Sequence, residues 1–557
     1  MDTTPKALGP KLSAVEALKA SSDHLRGGLA AELAAPGSQV SEDGYNLLKF
    51  HGSYEQFDRD TATARKQRGE EKEYSFMLRV RMPGGVLTAE QYLALDELAV
   101  RYANGTLRIT TRQGIQFHGV LKHDLKAHIA AINQTLLTTQ AACGDVVRNV
   151  TTTTAPVRDA VHARLLADAK MLSSALLPAS RAYHQIFLDE APTGEAEHEP
   201  LYGDTYLPRK FKIGIATPQD NTADVLTNDL GFLAIFAGER LVGYNVAVGG
   251  GLGMTHNKKD TYPRLATIIG AVGPDELLAV AKAVIAVQRD NGDRGNRKRA
   301  RLKYVVDDRG VAWVTQAVGE AFGRPLDPAL PMPKLAMPEL LGWHPQGDGR
   351  WWLGVPVSSG RIEGALCTAL RLVVARFRLA PVMTAQQDVL LTEAEESDRA
   401  AIDAVLAAHG VAAAESLTPL ARWSLACPAL PTCGLALTEA ERVHQPIIAQ
   451  VEQALARQGL RDERLSLRIT GCPNGCARSY GGDIGLVGRI PGSYAMFVGG
   501  DFEGTRLAFK FQERVAESAI GTTLEPLFAR FAAERAGGEG FGDFCHRIGA
   551  EGLQPVS

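Results

Sequence analysis

Residues 75–82 read Ser-Phe-Met-Leu-Arg-Val-Arg-Met, an apolar and β-favouring run that leads into the turn Pro83-Gly84-Gly85. Thr88 can cap a helix, and the pattern predicts that this helix continues through Tyr102. A second β-favouring run, Leu107–Val120, predicts a strand after the helix. The segment therefore predicts one strand–helix–strand unit of an α+β fold.

The same order of elements recurs far downstream and predicts an internal duplication of about 270 residues. The second copy comprises a strand at Trp351–Val357, a turn at Ser358-Ser359-Gly360, a helix from Gly364 to Phe377 and a strand from Pro381 to Leu391. In the alignment of the two copies, Thr111-Arg112-Gln113 lies opposite Ala385-Gln386-Gln387, and Val246–Gly250 corresponds to Ala495–Gly500. A pseudo-twofold protein follows, and the seam between its halves is a natural place for a large cofactor pocket.

Charge and hydropathy exclude several classes of protein. The 60 basic and 63 acidic side chains give a formal charge of −3, so no global field attracts nucleic acid or an anionic membrane. No run of about 18 apolar residues predicts a membrane span. Five charged residues interrupt the start of the chain where a signal peptide would need an apolar core, namely Lys6, Lys11, Glu16, Lys19 and Asp23. The sequence predicts a cytoplasmic protein.

Seven cysteines in 557 residues are too few for a disulfide scaffold. Cys143, Cys367 and Cys545 stand alone, whereas the other four form the pairs Cys427-x5-Cys433 and Cys472-x3-Cys476. Four thiolates can hold the corners of a [4Fe–4S] cluster, and the prolines and glycine of these loops favour irregular backbone that lets the cysteines point inward. Structural zinc is the competing use, although zinc sites show tighter pairs, and four buried thiols are the alternative without a metal.

Several segments together resemble the sulfite/nitrite reductase family, most closely its assimilatory sulfite reductase haemoprotein (beta) subunits, over nearly the whole chain. They are Phe50-His-Gly-Ser-Tyr54, Thr111-Arg-Gln-Gly-Ile-Gln-Phe-His-Gly119, Tyr206-Leu-Pro-Arg-Lys-Phe-Lys212, the two cysteine pairs, and Gly538-Glu-Gly-Phe-Gly-Asp543. The resemblance implies a [4Fe–4S] cluster coupled to sirohaem, an iron tetrahydroporphyrin with eight carboxylates. By position, Cys476 resembles the thiolate that bridges the two cofactors, while Cys427, Cys433 and Cys472 hold the cluster alone.

The resemblance also assigns four basic residues to the substrate. Arg79 and Arg148 resemble the arginines that bind the oxygens of sulfite, and Lys210 and Lys212 resemble the lysines that supply protons. Independently of the family, the Lys-x-Lys spacing places both ammonium groups on one face of a strand, with Phe211 packed behind them.

Sirohaem needs counter-charges and polar contacts of its own. Arg108, Thr110, Arg112 and Gln116 alternate along the predicted strand 107–120 and resemble the family's sirohaem-facing residues. The further expected cofactor contacts are Asn149, Arg297, Arg301, Lys303, Asn474 and Cys476.

The resemblance implies a duplicated architecture with two ferredoxin-like half-domains and the cofactor site at the seam. The predicted units are an N-terminal arm at 1–72 that can contact a partner, half-domain 1 at 73–140, a sirohaem and anion-binding domain at 141–340, half-domain 2 at 341–420, and a cluster and sirohaem domain at 421–557.

The implied function is the six-electron reduction of sulfite to sulfide in sulfur assimilation and cysteine biosynthesis, with electrons from an NADPH-oxidising flavoprotein (alpha) subunit. Ferredoxin as the donor is the first alternative and nitrite reduction the second. A hypothesis of another class is a non-catalytic, cluster-bearing electron-relay subunit.

Overall fold

The computed structural model describes residues 12–192 and 197–554. The first eleven residues of the predicted arm, with Lys6 and Lys11, lie outside this range. The helices are α1 Ala14–Ser21, α2 Leu29–Ala34, α3 Glu42–Leu48, α4 Ala62–Gln67, α5 Ala89–Tyr102, α6 Leu125–Gln134, α7 Ala160–Ala175, α8 Ala182–Phe187, α9 Leu277–Asn291, α10 Leu302–Arg309, α11 Val311–Phe322, α12 Gly364–Phe377, α13 Arg399–Ala408, α14 Pro419–Arg422, α15 His444–Arg457, α16 Ile520–Glu534 and α17 Phe541–Gly552. Within the described ranges, no helix combines the length and the apolar character that a bilayer crossing requires.

The strands form four sheets. They are β1 Ser53–Phe57, β2 Tyr74–Arg79, β3 Leu107–Ile109, β4 Ile115–Val120, β5 Ile213–Ala216, β6 Leu230–Ala237, β7 Arg240–Val248, β8 Thr267–Val272, β9 Gly342–Pro345, β10 Trp351–Val355, β11 Arg361–Ile362, β12 Ala380–Met383, β13 Val389–Ala394, β14 Ser424–Ala426, β15 Leu467–Thr470, β16 Ile484–Ile490, β17 Ser493–Val498 and β18 Phe509–Ala516. The sheet orders are β1-β2-β4-β3-β11, β12-β13-β10-β9, β5-β6-β7-β8 and β14-β15-β16-β17-β18.

The predicted helix starts are confirmed, because α5 begins after Thr88 with a capping box and α12 spans Gly364–Phe377. The single strand predicted over 107–120 is wrong. Residues 110–114 form a tight turn, in which the Thr110 N–H donates to the Gly114 carbonyl and Gln113 has a φ of +58°, so the segment is the hairpin β3–β4. The strand predicted at Pro381–Leu391 is likewise the hairpin β12–β13.

The internal duplication is visible in the strand registers. Ile213 pairs with Leu230 in parallel, and Leu467 pairs with Ile484 in the same way. Leu230 then faces Val248, as Ile484 faces Val498. Ile213 and Leu467 are therefore equivalent positions, and the glycine pairs that follow Val248 and Val498 correspond as the sequence predicts.

The two ferredoxin-like halves pair with each other through their edge strands at the seam. β11 of the second half pairs with β3 of the first, and Val86 of the first half bridges to Val382 in β12 of the second. A Cβ on Gly85 would lie 2.1 Å from the Met383 carbonyl oxygen, and one on Gly360 would lie 2.4 Å from that of Ile109. Both close approaches therefore require glycine. These two contacts bring the two hairpin turns to the same central region.

The N-terminal segment packs on both halves. A turn separates α1 from α2, because Asp23, His24 and Leu25 all have positive φ. β1 pairs with β2, and the Arg59 N–H donates to the Pro431 carbonyl in the first cysteine loop. The arm thus reaches both the first sheet and the cysteine loops.

Candidate active site

Two parallel strands deliver the four cysteines to one edge of a sheet. Cys427 follows β14 directly, and Cys472 lies two residues after the neighbouring strand β15. Because β14 and β15 are parallel, the loops after them meet. The Gly471 N–H donates to the Cys427 sulfur at 3.3 Å, a contact that joins the two loops.

The four thiols lie close enough to perturb one another. Burial raises the pKa of Cys427 well above its usual value, and Cys476, Cys472 and Cys433 raise it further. Burial also raises the pKa of Cys472 to about 12, with a second contribution from Cys476. Thiolates crowded into one buried place need the positive charge of bound metal.

Two kinds of metal centre can use four cysteine thiolates, a single zinc ion and an iron–sulfur cluster. Zn–S bonds of about 2.3 Å would put the sulfurs of one tetrahedral site about 3.8 Å apart. Four cysteine thiolates are also a complete ligand set for a [4Fe–4S] cluster, in which each sulfur holds its own iron.

Cys476 differs from the other three thiols in facing the seam. It is exposed, whereas Cys427 and Cys472 are buried and Cys433 is half-buried. Its carbonyl oxygen accepts a hydrogen bond of 3.1 Å from Thr111 Oγ1 in the β3–β4 turn. Burial and nearby arginines lower the pKa of Lys210 in the other half, and the Cys476 sulfur lies close enough to oppose that shift in part, which brings the bridging candidate near this predicted proton donor.

Arg79 and Arg148 border that space together with two residues that the sequence reasoning left out. Arg79 Nη1 donates to the Cys143 sulfur at 2.8 Å, and Arg148 Nε donates to the Gly144 carbonyl at 2.9 Å. Burial and the nearby Cys143 raise the pKa of Tyr54, whose phenol interacts with Arg148. Tyr54 is the last residue of the family motif at residues 50–54, and that motif could have pointed to it. No motif contains Cys143, because this cysteine stands alone in the sequence.

Lys210 and Lys212 flank the buried Phe211 just before β5, and both are half-buried. Among the described residues, neither ammonium group has a hydrogen-bond acceptor within reach. Burial lowers the pKa of Lys210 to about 7, with Arg209, Arg301 and Arg148 acting in the same direction. Burial and then Arg112 lower the pKa of Lys212 well below its usual value. Lys210 can therefore give up a proton near neutral pH.

The predicted row of cofactor-facing residues lies on the hairpin β3–β4 rather than on one strand, and direct pairing across the hairpin still puts Arg108 and Gln116 on one face of the sheet. Arg108 and Gln116 are cross-strand partners. Arg108 is committed to Glu441 at 3.1 Å and to the Ala426 carbonyl at 2.9 Å, and Gln116 reaches the Met77 sulfur. Arg108 thus braces the sheet against the strand that leads into the first cysteine loop, whereas Gln116 contacts β2 within its own sheet.

The turn itself is tied to the neighbouring strand segment. Thr110 Oγ1 accepts the N–H groups of Arg112 and Gly114. Arg112 donates to Asn228 at 2.8 Å and to the Asn149 carbonyl, while its buried Nε has no partner among the described residues. The Asn149 amide bonds the backbone of Met82 and Arg112. An unpaired buried Nε is a donor that a cofactor carboxylate would satisfy.

Arg301 and Lys303 support the glycine loop at 249–253. Arg301 forms two hydrogen bonds with Asp229, and Lys303 donates to the carbonyls of Gly251, Gly253 and Tyr262. Lys303 thereby directs its ammonium group to three backbone carbonyls of this loop and its surroundings. A Cβ on Gly253 would lie 3.2 Å from the Asn474 carbonyl, so the braced loop packs on the second cysteine loop.

Arg297 forms an ion pair with Asp145 rather than with Asp229, because its Nη2 lies 2.7 Å from the Asp145 carboxylate. Asp145 also lies within 3.8 Å of Lys19 in α1 and within 3.7 Å of Arg209. Asp145 and Asp229 thus compensate the positive charge on either side of Arg209–Lys212. Sequence reasoning missed both carboxylates, since no motif marks an acid whose partners are far away in the chain.

The symmetry-related counterpart of this site is closed. Leu425 pairs with Arg468 in the same way as Thr151 pairs with Gly214, so Leu425 and Thr151 are equivalent positions. Counting three residues back along each segment makes Arg422 the counterpart of Arg148. Counting two residues forward makes Cys427 the counterpart of Thr153. Residues 339–341 fill the space next to Arg422 and Gln386 and leave a cavity of about 10 Å³. A Cβ on Gly354, the counterpart of Arg79, would lie 2.0 Å from the Leu340 carbonyl oxygen. Among the described residues, this counterpart site therefore leaves no room for a cofactor.

Comparisons with known proteins agree with this arrangement. Two sequence profiles match, one described as "Nitrite/Sulfite reductase ferredoxin-like half domain" over residues 67–135 and one as "Nitrite and sulphite reductase 4Fe-4S domain" over residues 167–326. The "Sulfite reductase [NADPH] hemoprotein beta-component" of Myxococcus xanthus is 48% identical over 548 residues, 97% of each chain. The chain belongs to the nitrite and sulfite reductase family.

Other members of the family include the "Sulfite reductase [ferredoxin]" of Synechococcus elongatus, which is 44% identical and is matched over 100% of this chain and 92% of its own. The structure of the Mycobacterium tuberculosis NirA protein superposes with a TM-score of 0.79 over 98% of both chains at 24% identity and supports the fold. The duplicated architecture with ferredoxin-like half-domains is confirmed.

The profile named for the 4Fe-4S domain matches the half without cluster ligands, because residues 167–326 contain no cysteine. The match therefore reports the repeated fold, and the cysteines lie in the second copy. The family's cofactors, a [4Fe–4S] cluster and sirohaem, fit the donors present: four clustered thiols on one side of the seam, and a pocket rich in Arg and Lys on the other.

Proposed function

We propose that the protein reduces sulfite to sulfide by six electrons, and that Cys476 would serve as a ligand of both the cluster and sirohaem. One arrangement carries the proposal: the exposed Cys476 thiol and the unpaired Lys210 and Lys212 ammonium groups face one space from opposite halves. When bound, the coupled cofactors supply electrons one at a time to the substrate sulfur.

The chain's own residues bind the anion and provide protons. Arg79 and Arg148 carry fixed guanidinium groups that can hold two sulfite oxygens by charge-assisted hydrogen bonds. Lys210 and Lys212 donate protons to the departing oxygens, which leave as water. Arg112, with its unpaired Nε, offers a donor to a sirohaem carboxylate, and Asn474 contacts the cofactor from the cysteine loop.

Electrons come from an NADPH-oxidising flavoprotein subunit, in line with the name of the M. xanthus relative. The likeness to the ferredoxin enzyme of S. elongatus supports ferredoxin as the second candidate donor. The reaction belongs to sulfur assimilation and cysteine biosynthesis in the cytoplasm. Nitrite is the second candidate substrate, because the matching profiles are named for nitrite as well as sulfite reductases.

The test is the absorption spectrum of the purified protein, followed by assays of sulfide and ammonia production. Reduced methyl viologen, NADPH with a flavoprotein subunit, and reduced ferredoxin are compared as donors. We expect sirohaem bands and sulfide formation, with faster turnover from the flavoprotein. A protein with cluster absorbance but neither sirohaem bands nor sulfide production would be an electron relay and would refute the proposal.

A further inference from the structure

Two residues related by the internal duplication pair with each other. Asp224 lies 11 residues after Ile213, and Arg478 lies 11 residues after its counterpart Leu467. Both have left-handed backbone, with φ values of +46° and +61°. Arg478 Nε lies 3.0 Å from Asp224 Oδ2. Equivalent positions of the two halves are therefore in direct contact with each other.

The pair is buried and carries excess positive charge. Arg468 Nη1 donates to the same Asp224 oxygen at 2.9 Å, so one carboxylate compensates two guanidinium groups. Asp224 is 0% exposed, Arg468 2% and Arg478 5%. Burying unpaired charge is costly, and the guanidinium groups depend on this one anion to stay where they are.

Arg478 links this anion to the cysteine loop. It lies two residues after Cys476, and its Nη2 donates to the Ala385 carbonyl at 2.7 Å and to Gln386 Oε1 at 3.2 Å. Gln386 in turn donates to the Thr222 carbonyl at 2.9 Å, two residues before Asp224. A closed ring of contacts therefore holds the end of the second cysteine loop against the half that has no cluster ligands.

We propose that Asp224 is a positioning residue for Cys476: through Arg478 it fixes the orientation of the thiolate that joins the cluster to sirohaem. The inference rests on the proposed role of Cys476. Groups that orient metal ligands through a second contact affect metal affinity and potential as well as stability. A removed carboxylate would also leave two nearby positive charges, which favour the reduced and more negative cluster.

The test compares full-length, cofactor-loaded protein with Asp224→Asn, which keeps the shape of the side chain and removes its charge. We expect a more positive cluster midpoint potential in an EPR-monitored titration, a lower iron and sirohaem content, and a kcat reduced about 10-fold at nearly unchanged KM for sulfite. Asp224→Glu, which restores the charge, should recover most of the potential.

The matched control is Asp96→Asn. Asp96 is a buried acid that bonds Arg371 and accepts from the Cys367 thiol at the contact between α5 and α12. We expect this variant to lower Tm and leave the cluster potential and kcat unchanged. If Asp224→Asn behaves like Asp96→Asn, its role is only structural and the proposal is overturned.

Two further measurements keep the test decisive. If Asp224→Asn does not fold, Arg478→Lys keeps the charge but loses the donation to Ala385, and an unchanged EPR signal and kcat in that variant would overturn the proposal. If the wild-type protein carries a cluster but does not reduce sulfite, the proposed function fails on its own. The cluster potential would still report whether Asp224 acts on Cys476.

Discussion

The backbone N–H of Lys212 donates to Oδ2 of Asp229 at 2.9 Å, while the same carboxylate holds Arg301 by hydrogen bonds of 2.9 and 2.7 Å. Asp229 is fully buried. One acid therefore fixes the position of a predicted proton donor and compensates the arginine that braces the glycine loop.

Asp229→Asn should destabilise the protein strongly, because it leaves the buried Arg301 guanidinium without its counter-charge. The free energy of unfolding should fall by about 3–5 kcal/mol, measured as a lower urea midpoint. Turnover should fall as well, since the backbone anchor of Lys212 weakens. Asp275→Asn, at an exposed acid before α9, is the control. Equal urea midpoints for Asp229→Asn and wild type would contradict the role given to this carboxylate.

Lys210→Met and Lys212→Met should each keep the sirohaem spectrum and lose most sulfite turnover, because both ammonium groups are free to donate protons. The expected loss in kcat is about 100-fold or more. Lys282→Met, at an exposed position of α9, should have wild-type activity. Retention of more than half of the wild-type kcat by both site variants would remove these lysines from the mechanism.

The pH dependence should follow from the lowered pKa of Lys210, about 7 before the cofactor and substrate bind. The ammonium form is the proton donor, so kcat/KM should be highest on the acid side and fall as the pH rises through that value. Bound sulfite is an anion and raises the pKa, so kcat should fall at a higher pH than kcat/KM. Lys210→Arg, whose guanidinium stays protonated and gives up no proton, should lose turnover as Lys210→Met does, and its residual activity should lack the alkaline fall that Lys210 causes. An identical profile for Lys210→Arg and wild type would assign the titration to another group.

Cys476→Ser should lose both the cluster spectrum and the sirohaem spectrum, because the shared thiolate is a ligand of each. Cys367→Ser, at a lone buried cysteine in α12, should keep both. The measurements are iron per chain and the absorption spectrum. A native sirohaem spectrum in Cys476→Ser would place the bridge elsewhere.

The closed counterpart site predicts how many cofactors each chain binds. Residues 339–341 occupy it and Gly354 leaves no side chain there, so each chain should bind one sirohaem and one cluster. Acid extraction of sirohaem combined with iron analysis checks this ratio. Two sirohaems per chain would contradict the closure.

The sequence predicts most of the local elements and the duplication, because helix caps, turns and β-favouring runs are local signals. It misreads both hairpins as single strands, since the turn at 110–114 contains only one glycine and no proline. The spacing of the paired cysteines predicts the cluster site, and the Lys-x-Lys alternation predicts that the two lysines lie on one face. Asp145, Asp224 and Asp229 cannot be found in this way, because each acquires its role from residues distant in the chain.

The hydrogen bond from Thr111 to the Cys476 carbonyl also bears on how the protein is made. The turn that receives the second cysteine loop is synthesised first, and more than half of the chain leaves the ribosome before Cys427, the first cluster ligand, exists. Because all four predicted cluster ligands lie between residues 427 and 476, the cofactors can be loaded only late in synthesis or after it. We therefore expect cells short of iron or sirohaem to accumulate full-length chains without cofactors.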